Sequence, residues 1–464
     1  MSLRKTNLEA YANRFSEYTE LRLQQNTNLR ITLMNGDVVG NSKSIDNGVS
    51  ARVYTEGMWG FAARPDLEND AIVQTIEEAT ENARFLARHA STRNRSLDLP
   101  HCRTLKESDF STRKPRASQQ EMIGFLRDLD SHIAKSYPDL SSRSVILADL
   151  DMEKHLYNSD ASEGYSNTTR SLILVKLVCL NDTGQPVELI KPFGGRGQFE
   201  DVFTDVGSLT GPVDELHQHL CKKRQAVPAR GGVQDVILDS ELAGILAHEA
   251  VGHTTEADIV LGGSVAADCI GKQVASPLIS LVDFAHNYRD EILPVPVYID
   301  DEGVESKDTV LIDKGILKNF MHNKESAARF HAHADGNARA YQFFDEPLIR
   351  MRNTAILPGN DKLEEMIASV EDGYYLMWPS NGQADSTSEF MFGVTLGYEI
   401  RDGKLGNAIN DTTISGVAFD MLKTVSMVSD EMQWGCAGMC GKKQIIPVGM
   451  GGPSIKCRLH VGGV

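Results

Sequence analysis

The chain has 464 residues, and 47 Lys plus Arg against 64 Asp plus Glu leave a net charge of −17. Hydrophobic residues make up 41% and charged residues 24%, with 39 glycines and 16 prolines spread along the length, which excludes wholesale disorder and a coiled coil. The acidic balance argues against nucleic acid as a partner, which calls for a basic footprint, and no apolar run reaches the ~18 residues of a membrane-spanning helix, so no membrane partner is expected.

The opening MSLRKTNLEAYANRF has no apolar core segment and no small-residue cleavage site, so it does not read as a signal peptide, and the expected compartment is cytoplasmic. Residues 4–16 suggest a short amphipathic helix with Leu8, Tyr11, Ala12 and Phe15 on one side. TELRLQQ and NLRITLMNGDVVGNSKSI alternate like strands around an Asn35-Gly36 turn signal, and GVSARVYTEGMWGFAA reads as a hairpin turning near Glu56-Gly57. Asp66 is placed to cap a helix running to about Ala90. Residues 91–116 are polar, carry Pro100 and Pro115, and look like a connector; a helix follows from Ser118 to about Tyr137. Repeated β-type runs fill 143–205, and helix signals return at 212–225. VPARGGVQ at 227–234 marks a boundary, and residues 292–464 are rich in strands and glycine turns such as DDEG, DKG and PVGMGGP. The predicted class is α+β. An N-terminal α/β domain with a mixed sheet and helices spans 1–226, divisible into about 1–95 and 115–226; a C-terminal β-rich domain spans 227–464 and carries the metal-site helix.

The chemistry concentrates in DSELAGILAHEAVGHTTEAD, residues 239–258. Asp239 or Ser240 caps a helix whose buried face is Leu242, Ile245 and Leu246, and His248-Glu249-Ala250-Val251-Gly252-His253 follows. The usual zinc pattern, H-E-x-x-H, sets two ligands four residues apart on one helix face. Here the spacing is five, which turns the two side chains about 140° apart on a regular helix. A one-residue π-bulge, or a helix ending near Gly252, corrects the angle. Glu249 is the candidate general base beside a metal, or else a surface carboxylate. Glu256 and Asp258 follow as partners for the imidazole N–H groups, or as solvated acids.

Two histidines do not complete a zinc site, which takes three protein ligands when catalytic. His331 and His333, near His322, read as an exposed polar loop, and His217 and His219 as solvated positions pointing different ways on a helix. The seven cysteines are odd in number and sparse, which fits reduced thiols. Cys436 and Cys440, in GCAGMCGKKQIIPVG, offer a thiolate to the site, or are small core residues.

Taken together, these segments resemble the TldD/PmbA family of metallopeptidases, proteins once called modulators of DNA gyrase. The resemblance covers GVSARVYTEGMWGFAA, HEAVGH with Glu256 and Asp258, residues 299–327, GNARA (336–340), RMRNTAILPG (350–359), GQADSTSEFMF (382–392) and the tail MCGKKQIIPVGMGGPSI. It implies that His248 and His253 are metal ligands, Glu249 the catalytic glutamate and Cys440 the third ligand; Cys436 lies outside the pattern. An intact HEAVGH is similar to the TldD branch, the PmbA (TldE) branch being metal-free. The chain departs from the family pattern in GQADSTSEF, which lacks a Gly-Gly before Gln383, and in HTTEAD.

The resemblance further implies one Zn2+ per site, which a thiolate with imidazoles also favours over iron or manganese. It implies hydrolysis of peptide bonds in unfolded or flexible peptides, with Glu249 taking the proton of an activated water, and a dimer formed with itself or with a metal-free TldE/PmbA-like paralogue. The alternative is a non-catalytic scaffold subunit with a structural metal.

Overall fold

The computed structural model describes residues 3–90 and 96–463. Its chain is α+β, with three main sheets and helices packed against them.

The first sheet begins with the two hairpins expected from the turn signals. Tyr18–Met34 is one continuous strand that pairs with Asp37–Thr55, which in turn pairs with Met58–Arg64. Both turns place two successive residues at positive φ: Asn35 at 51° and Gly36 at 92°, then Glu56 at 48° and Gly57 at 83°. That backbone twists with the flanking strands, and Asn-Gly tolerates it well. Tyr18–Met34 also pairs along its length with Ser142–Asn158, which pairs with Glu163–Leu180. The sheet therefore runs unbroken through the expected division near residues 95–115. The expected connector 91–116 contains Leu105–Asp109, a strand parallel to Glu163–Asn167; residues 91–95 lie outside the described residues. Its sequence, LKESD, is mostly exposed at the sheet edge, so no buried alternation betrays it.

Helix α1, Asn69–His89, buries Ala71, Ile72, Thr75, Ile76, Ala79, Thr80 and Ala83 on one stripe. Its N-cap is Glu68, not Asp66; the Asp66 carboxylate accepts the Glu68 N–H at 3.0 Å in a turn just before the helix. The amphipathic segment 4–16 forms two 3-10 turns, Leu3–Lys5 and Glu9–Arg14, yet its apolar side packs as expected, with Leu8 fully buried and Tyr11, Ala12 and Phe15 against the same cluster. Helix α2, Gln119–Ser136, starts at a capping box. Ser118 Oγ accepts from the Glu121 N–H at 3.2 Å, and Glu121 accepts from the Ser118 N–H at 2.7 Å. Helix α3, Gly207–Lys223, begins five residues before Pro212, which sits inside it.

The apolar core is continuous across the expected boundary at 226/227. One apolar cluster joins Leu29, Ile31, Val145 and Ile173 of the first sheet, Leu126 and Leu129 of α2, and Val213 and Leu216 of α3 with Ile237, Tyr375, Trp378 and Leu396 from the C-terminal half. Each such large side chain contributes about 1.5–3 kcal/mol on burial.

Buried charges complete the junction. The DDEG turn at 300–303 sinks into the protein, where Lys154 Nζ donates to Asp301 at 2.7 Å and Arg52 is held between Glu20, at 2.8 Å, and Glu302. Lys324 Nζ reaches Asp160 at 2.7 Å.

In the C-terminal half, Asp372–Ala384 pairs with both Gly232–Leu238 and Glu389–Arg401, so that with Ile455–Val461 and Thr412–Val417 the second sheet closes on itself. The third sheet runs Thr309–Asp313, Leu281–Phe284, Asn353–Ile356, Gly449–Gly452, Gln433–Gly435. Helix α4, Ser240–Leu246, is capped by Asp239, which accepts the Leu242 N–H at 2.8 Å. It packs with Leu242 and Leu246 in the core between the second and third sheets. No helix of the described residues is long and apolar enough to cross a membrane.

Candidate metal centre

The five-residue spacing between the histidines is resolved by the backbone. After α4 the chain widens into a six-residue π turn, Ala247–Gly252, and then tightens into a 3-10 turn, His253–Thr255. The His253 N–H donates to the His248 carbonyl, the i to i+5 bond that defines a π turn. That wider turn takes up the extra residue and brings the two imidazoles together, with ring centroids 5.2 Å apart. Gly252 is required here by space: a Cβ on it would lie 1.9 Å from Sδ of the buried Met351.

Cys440 joins them from almost the other end of the chain, its Sγ 3.3 Å from His253 Nε2. Ligand atoms of His248, His253 and Cys440 all lie within 4.8 Å of one another. His248 is fully buried, and neither of its ring nitrogens meets a hydrogen-bond partner among the described residues. Two orphaned nitrogens in the interior are costly. A cation held between the two imidazoles and the sulfur would use one of them, so the donor set and its geometry fit a borderline-soft metal such as zinc.

The electrostatics agree with that fit. Burial pushes the Cys440 thiol up, but His248 and His253 more than offset it and bring it down to about 4. Burial opposes protonation of His253, yet Glu256 and Cys440 raise it well above the ordinary histidine range. The group is thus built to balance positive charge at its centre against thiolate and carboxylate.

Glu256 is fully buried and its Oε2 stands 2.8 Å from His253 Nδ1, fixing the ring so that Nε2 faces the sulfur. Asp258 does not reach an imidazole; it binds Lys442 Nζ at 2.7 Å, and the same ammonium donates to Glu256 at 3.1 Å. Glu249, one residue past His248, has an oxygen 3.7 Å from His253 Nε2, and its side chain is 17% exposed. His253 is similarly exposed, at 19%, so both side chains meet solvent at the edge of the group. His331 and His333 are exposed, while His322 is buried on Ser326. Cys436 turns away from the centre and donates to the Gly194 carbonyl at 3.0 Å.

Three positioning residues had not been singled out in the sequence. Arg350, fully buried, donates to the carbonyls of Cys440 at 2.7 Å, Lys442 at 3.1 Å and Gln444 at 2.9 Å. Arg170, from the first sheet, donates to the carbonyls of Cys436 at 3.1 Å and Gly438 at 3.2 Å. Lys442 ties the same loop to Glu256. The arginines were visible as basic residues inside apolar strands, RSLILV and LIRMRN, with no acidic neighbour to pair them.

The sequence and the fold are both similar to those of known proteins. Residues 231–463 match the PmbA/TldA metallopeptidase C-terminal domain, and residues 19–83 match PmbA/TldA metallopeptidase domain 1. A metalloprotease of Methanocaldococcus jannaschii is 30% identical over 461 residues, covering 95% of this chain and 96% of the relative. A zinc metalloprotease TldD homologue of Saccharolobus solfataricus is 29% identical over 426 residues, 91% of each chain. In fold, the chain is similar to TldE of Thermococcus kodakarensis, with a TM-score of 0.74 at 16% identity over 100% of both chains. A Thermotoga maritima protein described as a candidate modulator of a DNA gyrase gives a TM-score of 0.78 at 19% identity over 98% of both.

Proposed function

Because the chain belongs to the PmbA/TldD family of metallopeptidases, we propose that it is a zinc-dependent peptidase that hydrolyses peptide bonds in unfolded or flexible peptides, with Glu249 as general base. The observation that carries this reading is the group of His248, His253 and Cys440, with orphaned nitrogens on His248 and the partly exposed carboxylate of Glu249 at its edge.

His248, His253 and Cys440 would hold the ion. When bound, zinc supplies Lewis acidity and lowers the pKa of water toward neutrality. Glu256 keeps His253 turned toward the sulfur, and Lys442 balances the Glu256 charge. Glu249 takes the proton of the attacking water and hands it to the leaving amine. A closed structural zinc site needs four ligands, usually several of them cysteines. Among the described residues only three such donors converge here, one of them a cysteine, which favours an open site over a scaffold role. A thiolate donates more charge than an imidazole, so slow turnover is expected. The proposal includes a second subunit, either a copy of this chain or a metal-free TldE/PmbA-like paralogue.

The test is hydrolysis of an unstructured peptide mixture, read by mass spectrometry, against Glu249→Gln at matched zinc content. Cleavage by the parent and not by the variant is expected. Equal cleavage by both would reject Glu249 as the base. No cleavage by the zinc-loaded parent, alone or with the paralogue, would reject the peptidase reading.

A further inference from the structure

A second set of ligand-type side chains lies in the N-terminal half, where the loop after α2 meets α3. His217 and Cys221 stand four residues apart on α3, so both leave the same helix face. Asp139 reaches them from the loop. His217 Nε2 is 3.4 Å from Asp139 Oδ1 and 3.6 Å from Cys221 Sγ, and the three ligand atoms all lie within 4.8 Å of one another.

These separations have a specific meaning. A tetrahedral zinc ion with bonds of about 2.0–2.1 Å to nitrogen, 2.3 Å to sulfur and 2.0–2.2 Å to oxygen sets its ligands apart by about 3.3 Å for N···O and about 3.6 Å for N···S. An Asp–His ion pair and a weak thiol–imidazole hydrogen bond account for the two distances one at a time; a single ion accounts for both, with all three groups turned to one point. The imidazole is also held in place. Tyr137 stacks on it with centroids 3.9 Å apart and 16° between the planes, and the Tyr137 hydroxyl is fixed by Asp214, on the same helix as His217. The Asp139 side chain is 46% exposed, so water has access for a fourth position.

We propose that Asp139, His217 and Cys221 form a second metal site, of the zinc class, with water as the fourth ligand. Thiolate and carboxylate balance the charge of a divalent ion beside a neutral imidazole, and the thiol proton leaves as the metal enters. The imidazole and thiolate select zinc, cobalt or cadmium over magnesium and calcium. The bound ion would tie the loop after α2 to α3, two helices that share the central core. This site is independent of the peptidase reading.

The experiment is equilibrium dialysis of the full, reduced chain against buffered zinc, followed by metal analysis. Two equivalents are expected in the parent, one in Cys221→Ser and one in Cys440→Ser. Cobalt loaded into Cys440→Ser should still give a sulfur-to-cobalt charge-transfer band, and Cys221→Ser added to that variant should remove it. A Cys221→Ser chain that binds as much zinc as the parent, a cobalt-loaded Cys440→Ser chain with no charge-transfer band, or a band that survives both substitutions would overturn the proposal.

Discussion

Glu256→Gln removes one charge, and almost no volume, from behind the candidate centre. The Glu256 Oε2 serves two donors, His253 Nδ1 at 2.8 Å and Lys442 Nζ at 3.1 Å, while its Oε1 is buried and meets no hydrogen-bond partner among the described residues. To keep His253, the glutamine must set its amide oxygen where Oε2 was. Its NH2 then falls at the Oε1 position, with no acceptor to receive it. A buried donor left unsatisfied costs about 1–3 kcal/mol. The opposite orientation is worse, because it faces the NH2 against the imidazole N–H and the ammonium. The metal-free variant should therefore lose about 1–3 kcal/mol of stability in urea unfolding. Losing the carboxylate behind His253 should also weaken zinc binding about 10–100-fold, or about 1.4–2.7 kcal/mol, in competition with a chromophoric chelator. Zinc affinity equal to the parent's would refute the role assigned to Glu256. Unchanged stability would refute the hydrogen-bond argument.

Cys440→Ala should empty the centre, and a metal analysis showing full occupancy there would contradict the ligand assignment. Arg52→Met leaves the carboxylates of Glu20 and Glu302 buried without their cation, and should cost about 3–5 kcal/mol in urea unfolding; a loss under about 1 kcal/mol would refute the pairing. Burial lowers His322 from 6.5 to about 4, so the unfolded chain takes up this proton before the folded one does. Its contribution is complete above pH ~6.5 and is lost as pH falls toward ~4, by at most about 3 kcal/mol, and His322→Gln should flatten that part of the stability profile. Gly252→Ala forces a Cβ against Met351 and should cost about 1–3 kcal/mol in thermal unfolding; Met351→Val in the same chain should recover part of it, and strict additivity would show that the two residues do not collide.

Much of the local structure was legible because it depends on neighbours in sequence. Asn35-Gly36 and Glu56-Gly57 turn where their backbone chemistry allows, and Ser118 with Glu121 starts α2. The strand Leu105–Asp109 escaped because its exposed edge carries no buried alternation. The extension of α3 ahead of Pro212 escaped because a proline there reads as a start. His217 and His219 read as solvated, yet His217 stacks on Tyr137 and His219 reaches the Tyr398 hydroxyl at 2.5 Å, both partners being distant in sequence.

Residue types along the chain already set out the metal chemistry on offer: two imidazoles, a neighbouring carboxylate and a thiol in an ordered family pattern. They also posed the problem of a five-residue spacing that a regular helix cannot satisfy. How those groups meet depends on contacts between segments far apart in the chain. The π turn persists because α4 is packed between two sheets and Gly252 admits Met351. The Cys440 loop is held by Arg350 from 90 residues away, and by Arg170 acting on Gly438 from 268 residues away. Those clamps bind backbone carbonyls, which carry no side-chain signature. No reading of residue types along the chain reveals which carbonyls they are until the sheets have brought them together.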